Sequence, residues 1–412
     1  MSDLDALFRA VLDRPDDDTP RLVYADALDD HGAADRAAFI RRQVAAARAE
    51  PWEPAAVRAR VFHDDAPPGE DSRAQLPELP PGLDWDARPF RRGFPAVVQA
   101  RDAAAFVDAD HLYDLAPVES LEIELLPITQ VAALAASRAL ARLKRLVIRS
   151  GLGRVTAREL FRSPHLTHLD ELVIGAGLTS SLTAQVVVNS PTFRRLRSLS
   201  YRDEQPGGAL VAALADLAAA PALRALDIQG SRLTSDDLSR FLDAPVAGRL
   251  ECLDVGDNRL GGEGFRQLVA GDRLPALRRL DARQIGLGSA GVTELGGRPL
   301  ASRLRYLDLG GNALVSKTGA ALAELDLREL RVLDLGDNRL GDVGVSDLLR
   351  GQWVVRLLEL DLSENGIGAA GADALIRSQD LDGLVALDVR GNAIPSEVRT
   401  ALRQRFGDRV LL

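Results

Sequence analysis

The chain has 412 residues, of which 46% are apolar and 4% aromatic, and it carries a formal net charge of -9. That charge argues against a general affinity for nucleic-acid phosphates, which depends on a surplus of cations. A single cysteine, Cys252, leaves no internal disulfide framework, and no run of eighteen apolar residues offers a membrane span.

The N-terminus, Met1-Ser2-Asp3-Leu4-Asp5, is acidic and lacks the basic flank and apolar stretch of a secretion signal, so a cytoplasmic location is expected. Leu4, Leu7, Phe8, Val11 and Leu12 recur at helical spacing behind Ser2 and Asp5 in capping-box positions, which predicts a helix over residues 2 to 13. Thr19-Pro20 reads as an N-cap and first-turn pair, Gly32 as a C-cap, and Asp35 as the start of a third helix bearing Phe39, Ile40 and Val44. Residues 1–50 are therefore expected to form a small α-helical domain. Residues 51–90 contain Pro51, Pro54, Pro67, Pro68, Pro77, Pro80, Pro81 and Pro89 with little periodicity, the composition of a linker or irregular loop. Order is expected to resume at Arg91-Arg92-Gly93-Phe94-Pro95, with a helix near Asp102 to Leu115.

A Leu-x-x-Leu-x-Leu register then returns every 25 to 27 residues, with first apolar positions at Val118, Leu143, Leu169, Leu196, Leu223, Leu250, Leu277, Leu304, Leu330, Leu357 and Leu384. A unit this short cannot bury its own apolar face and must stack on its neighbours, so residues 91–394 are expected to form a solenoid of about eleven repeats. Within a repeat the apolar positions alternate with polar ones, as in a strand with one buried face: Leu253 and Val255 inward, Cys252, Asp254 and Gly256 outward. Four repeats follow the strand with Gly-x-x-Gly-x-x-x-Leu: Gly261, Gly264, Leu268; Gly288, Gly291, Leu295; Gly341, Gly344, Leu348; and Gly368, Gly371, Leu375. Residues 395–412 bring Val398, Leu402 and Phe406 at helical spacing, then Val410-Leu411-Leu412, and are expected to cap the last repeat.

Two resemblances sharpen these expectations. Ala6-Leu7, the run Pro15-Asp16-Asp17-Asp18-Thr19-Pro20-Arg21-Leu22-Val23-Tyr24-Ala25-Asp26, His31-Gly32 and Arg36-Ala37-Ala38-Phe39-Ile40-Arg41 resemble the repeat-companion domain that precedes leucine-rich repeats in many bacterial proteins. Ala27 departs from that pattern where the family often has tryptophan, which removes an aromatic anchor. Residues 118–394 resemble the ribonuclease-inhibitor-like class of leucine-rich repeats. The resemblance implies an α/β horseshoe, with a parallel sheet on the concave side and helices on the convex side.

Asn258, Asn312, Asn338, Asn365 and Asn392 all occupy the ninth repeat position, where a side-chain amide can bond the backbone of the turn. Ser231 and Ile285 interrupt this series, and the first four repeats place Leu126, Gly151, Gly177 and Glu204 there, so the N-terminal half is expected to be less regular. At the fifth position Asp227, Asp254, Asp281, Asp308, Asp334, Asp361 and Asp388 line up on neighbouring strands. Charges about 5 Å apart repel by roughly 1–3 kcal/mol, so the row reads as a solvated or arginine-paired ladder, as a track for a basic segment or, more weakly, as a divalent cation site. Arg279 and Arg283 flank Asp281, Tyr306 lies beside Asp308, and Glu359, Arg202 and Arg390 complete a mixed field. Arginine and tyrosine are frequent binding anchors. His165-x-x-His168 lacks a third ligand, and Cys252 is remote from every histidine.

No phosphate loop, nucleophile elbow or linked nucleophile and base occurs, so neither catalysis nor a cofactor or metal is expected. The expected function is a non-catalytic scaffold that binds a partner protein, such as one with a basic segment, on the concave face at Asp254, Arg279, Asp281, Arg283, Tyr306, Asp308, Asp334, Glu359 and Asp361. Regulation of a partner enzyme, as an inhibitor or GTPase activator, is the alternative that fold likeness alone suggests.

Overall fold

The computed structural model describes residues 3–61, 76–107, 109–175, 180–201, 208–217 and 222–412. The chain divides into two compact units, Met1–Leu196 and Arg197–Leu412.

The first unit opens with helices α1 (Asp3–Asp13), α2 (Thr19–Asp30), α3 (Ala34–Arg48) and α4 (Pro54–Val61). Val11, Ala25, Leu28, Ala37, Ile40, Val44 and Phe94 form one buried cluster, on which Leu4, Phe8 and Tyr24 pack. Thr19 lies inside α2, and the cap passes to Asp17, whose Oδ1 accepts the Thr19 N–H at 2.8 Å. Asp35 likewise lies in the first turn of α3 behind Ala33.

The segment 51–90 is more structured than its prolines suggest. It contains α4, β1 (Leu83–Trp85) and the start of a hairpin, β2 (Phe90–Arg91) with β3 (Phe94–Pro95). Pro54 occupies the first turn of its helix, where a missing N–H costs nothing. Pro67 and Pro68 lie outside the described residues. The hairpin presses on α3: Gly93 has φ +85°, and a Cβ there would sit 2.7 Å from the Ile40 backbone. Arg36 clasps the same junction, its guanidinium 5.2–5.9 Å from the rings of Phe39, Phe90 and Phe94 and its Nη2 donating to the Gly93 carbonyl at 2.6 Å.

β4 (Val97–Asp102) pairs antiparallel with β1 and parallel with β5 (Ser120–Leu125), followed by β6 (Arg145–Ile148) and β7 (Glu171–Ile174). The sheet thus begins two strands, β1 and β4, before the first Leu-rich repeat. The helix expected near 102–115 is instead two single turns, Ala104–Val107 and Leu112–Leu115.

The second unit repeats one plan. Strands β8 (Ser198–Tyr201), β9 (Ala225–Asp227), β10 (Cys252–Asp254), β11 (Arg279–Asp281), β12 (Tyr306–Asp308), β13 (Val332–Asp334), β14 (Glu359–Asp361), β15 (Ala386–Asp388) and β16 (Val410–Leu411) form a parallel sheet. Each pair from β9 to β15 is in register, Leu against Leu and Asp against Asp. A helix follows each of β8 to β15, among them Ser235–Leu242, Gly261–Val269, Gly341–Leu348 and Ala369–Arg377. Leu253, Leu280, Leu307, Leu333 and Leu360 are at most 1% exposed. Burying a leucine side chain is worth about 1.5–3 kcal/mol, and the repeat supplies that gain in every layer. After the helix Ser396–Phe406, β16 extends the sheet, with Leu402 and Phe406 buried against the last repeat.

The asparagines hold the turns to one another. Asn338 Nδ2 lies 2.8 Å from the Leu335 carbonyl in its own turn and 3.1 Å from the Leu309 carbonyl one repeat earlier, while its Oδ1 accepts the N–H groups of Asn312 and Leu314 at 3.1 and 2.9 Å. Asn258, Asn312, Asn365 and Asn392 repeat this arrangement. Where Ile285 replaces asparagine, its backbone N–H still donates to Asn312 Oδ1 at 3.1 Å, as Asn312 does to Asn338 and Asn365 to Asn392. The preceding residue is left-handed in seven consecutive repeats: Gly230, Asp257, Gln284, Gly311, Asp337, Glu364 and Gly391, with φ between 51° and 69°. In the first unit Leu126 fills the same position as a buried side chain, while Gly177 and Glu204 lie outside the described residues.

Removing one carboxamide strands buried donors and acceptors at roughly 1–3 kcal/mol each. Asn338→Ala is expected to lower the unfolding free energy by about 3–5 kcal/mol in urea titrations, and a loss below about 1 kcal/mol would contradict the role assigned to the side chain.

Candidate functional site on the open sheet face

Three rows of outward residues cross the sheet of the second unit. The first contains Ala225, Cys252, Arg279, Tyr306, Val332, Glu359 and Ala386, in register. The second is the aspartate row. The third, at the strand exits, contains Gln229, Gly256, Arg283, Gly310, Gly336, Ser363 and Arg390, tied together by backbone bonds such as Asp257 N–H to the Arg283 carbonyl at 2.9 Å.

All seven aspartates share one local role that the sequence reading missed. Each Oδ1 accepts the backbone N–H two residues on: Gln229 on Asp227, Gly256 on Asp254, Arg283 on Asp281, Gly310 on Asp308, Gly336 on Asp334, Ser363 on Asp361 and Arg390 on Asp388, at 2.8–3.1 Å. These bonds turn the chain out of the strand, as aspartate does in turns generally. The signal was present in the small residue two positions on, as in Asp254-Val255-Gly256 and Asp308-Leu309-Gly310.

The row is also less solvated than an outward ladder should be. Asp308 is 4% and Asp388 7% exposed, and the other five are half-buried. Backbone crowds them: a Cβ on Gly310 would lie 3.2 Å from Asp308 Oδ1 and 3.4 Å from Asp334 Oδ1. Burial first, and the neighbouring carboxylates second, push Asp254 and Asp334 up to about 7 and Asp308 higher still. Burial also lifts Asp281 and Asp361, the latter against hydrogen bonds from Ser363.

The second oxygens divide the row. Asp227 Oδ2 accepts from Ser200 Oγ at 2.6 Å, and Arg390 grips Asp388 through both Nε and Nη2. Between these ends, the Oδ2 atoms of Asp254, Asp281, Asp308, Asp334 and Asp361 accept no hydrogen bond among the described residues.

Arg279 lies in the first row with its guanidinium carbon 4.0 Å from the Tyr306 ring centroid, a cation–π stack that fixes both side chains. Tyr306 is 7% exposed, and burial holds its phenol protonated far above neutral pH. Arg283 is exposed and close enough to Asp281, Asp308 and Asp334 to favour their ionised forms. Glu359 stands between Val332 and Ala386. Arg202 lies outside the described residues, and Arg390 is committed to Asp388.

Cys252 is half-buried between Ala225 and Arg279. His165 and His168 occupy a turn and not a helix, and His168 Nδ1 contacts the Ala141 carbonyl at 2.8 Å. Among the described residues no group of three or more histidine, cysteine, aspartate or glutamate side chains could hold a metal.

A family model described as Leucine Rich repeat matches residues 250–268, 327–349 and 357–375. The solved structure of the Rad7 and Elc1 complex in yeast is similar in fold, with a TM-score of 0.50 at 15% identity over 72% of this chain and 78% of that one. This chain has the fold of an α/β leucine-rich-repeat solenoid. An internalin (inlF) from Listeria monocytogenes aligns with the solenoid over 69% of this chain and 78% of its own, at 18% identity and a TM-score of 0.37. No curated protein matches the chain. No helix among the described residues of the leucine-rich-repeat solenoid is long and apolar enough to cross a membrane.

The raised carboxyls give the solenoid a pH dependence with a definite sign. The folded chain binds more protons than the unfolded one between about pH 4 and pH 7, so unfolding free energy falls as pH rises through that window. Asp308→Asn keeps an oxygen for the Gly310 N–H and removes the carboxyl that must take up a proton on folding. Urea titrations at pH 5 and 7.5 are expected to show the variant more stable than the parent at the higher pH by about 1–3 kcal/mol, with the gap closing at the lower. An equal gap at both values would contradict the raised carboxyl.

Proposed function

We propose that the protein is a non-catalytic scaffold that binds a partner protein across the open face of its repeat sheet. The observation that carries this reading is the stacked Arg279–Tyr306 pair beside five carboxylates that each keep one oxygen without a hydrogen bond among the described residues. An arginine and a tyrosine already fixed in place lose little entropy on binding and make effective anchors. Arg283 and Glu359 supply the polar surround, and Asp254, Asp281, Asp308, Asp334 and Asp361 form the track.

The partner chemistry that suits this track is a basic segment laid across the strands. A guanidinium or ammonium group would satisfy the Oδ2 atoms and draw the raised carboxyls back to their ionised form, so binding releases protons. Support from other proteins is limited to the fold: leucine-rich repeats commonly serve as interaction surfaces, and the similar yeast structure is itself a complex of two proteins. The proposal places the chain in the cytoplasm. A regulator of a partner enzyme is a narrower form of the same reading, distinguished by a change in that enzyme's turnover within the complex.

A labelled arginine-rich dodecapeptide is expected to bind the parent chain, and to bind a variant carrying Asp281→Asn and Asp308→Asn at least tenfold more weakly. Affinity is expected to fall between pH 7.5 and pH 5, where protons compete with the peptide. Equal affinity for parent and variant, measured by fluorescence anisotropy, would remove the carboxylate row from the contact.

A further inference from the structure

The helical side of the first unit carries a surface of the opposite sign. Arg154, Arg158 and Arg162 recur every fourth residue along the helix Arg154–Leu160 and the turn that follows it. Positions four apart on a helix are neighbours on one face, roughly 6 Å apart along the axis, so the guanidinium groups form a short row. All three are exposed, and none has an ion pair or hydrogen bond among the described residues. Helix-borne arginines of the second unit are treated differently: Arg266 pairs with Glu263 at 2.5 Å and Arg377 with Asp373 at 3.4 Å. Between residues 150 and 196 the sequence has five arginines and three acidic residues, against the chain's net -9.

The row borders a groove. A cavity of about 490 Å³ runs between this helix and the next, Ser181–Val188, with the three arginines on one side and Leu182, Val186 and Pro191 on the other. Leu182 is 51% exposed, a large apolar side chain that a solvated helix surface does not need. Glu159, the acid nearest in sequence, follows Arg158 by one residue and so points about 100° away around the helix.

We propose that this groove docks an acidic partner segment whose carboxylates alternate with apolar side chains. The carboxylates would pair with the arginine forks, which suit them bidentately, and the apolar side chains would cover Leu182 and Val186. A single-stranded nucleic acid is the less favoured occupant, because among the described residues no aromatic side chain lines the groove for bases to stack on. The inference stands apart from the proposal for the sheet face, which involves other residues and a partner of opposite charge.

The test uses the full chain and a labelled dodecapeptide of alternating glutamate and leucine, with a lysine-for-glutamate peptide and a twelve-base single-stranded oligonucleotide as the other probes. The acidic peptide is expected to bind the parent chain and to weaken at least tenfold on Arg158→Glu. Arg154→Gln combined with Arg162→Gln should weaken it as well, with added salt reducing affinity in the parent and Arg377→Gln, at an exposed helix arginine of the second unit, leaving it unchanged. Circular dichroism of each variant is expected to match the parent, since all the substituted side chains are exposed. Undiminished binding to both groove variants, no binding to the parent, or tighter binding of the lysine peptide or the oligonucleotide than of the acidic peptide would overturn the proposal.

Discussion

A buried carboxamide that bonds its own turn and the turn before it is the interaction on which the second unit depends. Stacked strands satisfy their backbone groups against one another, but the sharp exits from those strands would leave carbonyl and N–H groups enclosed without partners. Asn258, Asn312, Asn338, Asn365 and Asn392 fill that need, and each does so for two repeats. Cooperation between neighbours is thereby set by hydrogen-bond geometry as well as by leucine packing. The left-handed residue before each carboxamide is the associated cost, since Asp257, Asp337 and Glu364 take a conformation that glycine adopts more easily.

The sheet face is a product of the same geometry. Because every repeat leaves its strand in one way, every repeat places an aspartate at one height, and the Oδ1 of each is used to shape the exit. A structural requirement thus gathers seven carboxyl groups where isolated chemistry would disperse them. The fold tolerates them by burial, by hydrogen bonds to Oδ1 and by the nearby charge of Arg283, and at the two ends by Ser200 and Arg390. Recognition, on this view, uses the atoms that architecture leaves over.

Much of this was legible in the residues because periodicity is a strong signal. The spacing from Val118 to Leu384 located the strands, the alternation at Leu253 and Val255 gave their buried face, and the asparagines gave the turns. What escaped was set by contacts distant in sequence. β1 and β4 have no place in the repeat, and their pairing with one another and with β5 depends on a neighbour rather than on pattern. The proline-rich composition of 51–90 concealed α4 because a proline is harmless in a first helical turn. In the site, the identities and rows of Arg279, Tyr306 and the aspartates followed from register, whereas the stacking of the first two and the partial burial of the rest required the packed sheet. The arginine groove was unread because its members lie on two helices about thirty residues apart.

The outermost strands, β1 in the first unit and β16 in the second, differ from the interior strands in a way that bears on assembly. In the first unit the outermost strand, β1, runs antiparallel to all that follows, and in the second the outermost strand, β16, is two residues long. A stack of identical parallel strands would otherwise present, at its border, a ready template for the corresponding strand of another copy. Reversal at one border and truncation at the other deny an incoming chain that template, so the same modules that add so readily within one polypeptide are discouraged from growing into filaments between polypeptides.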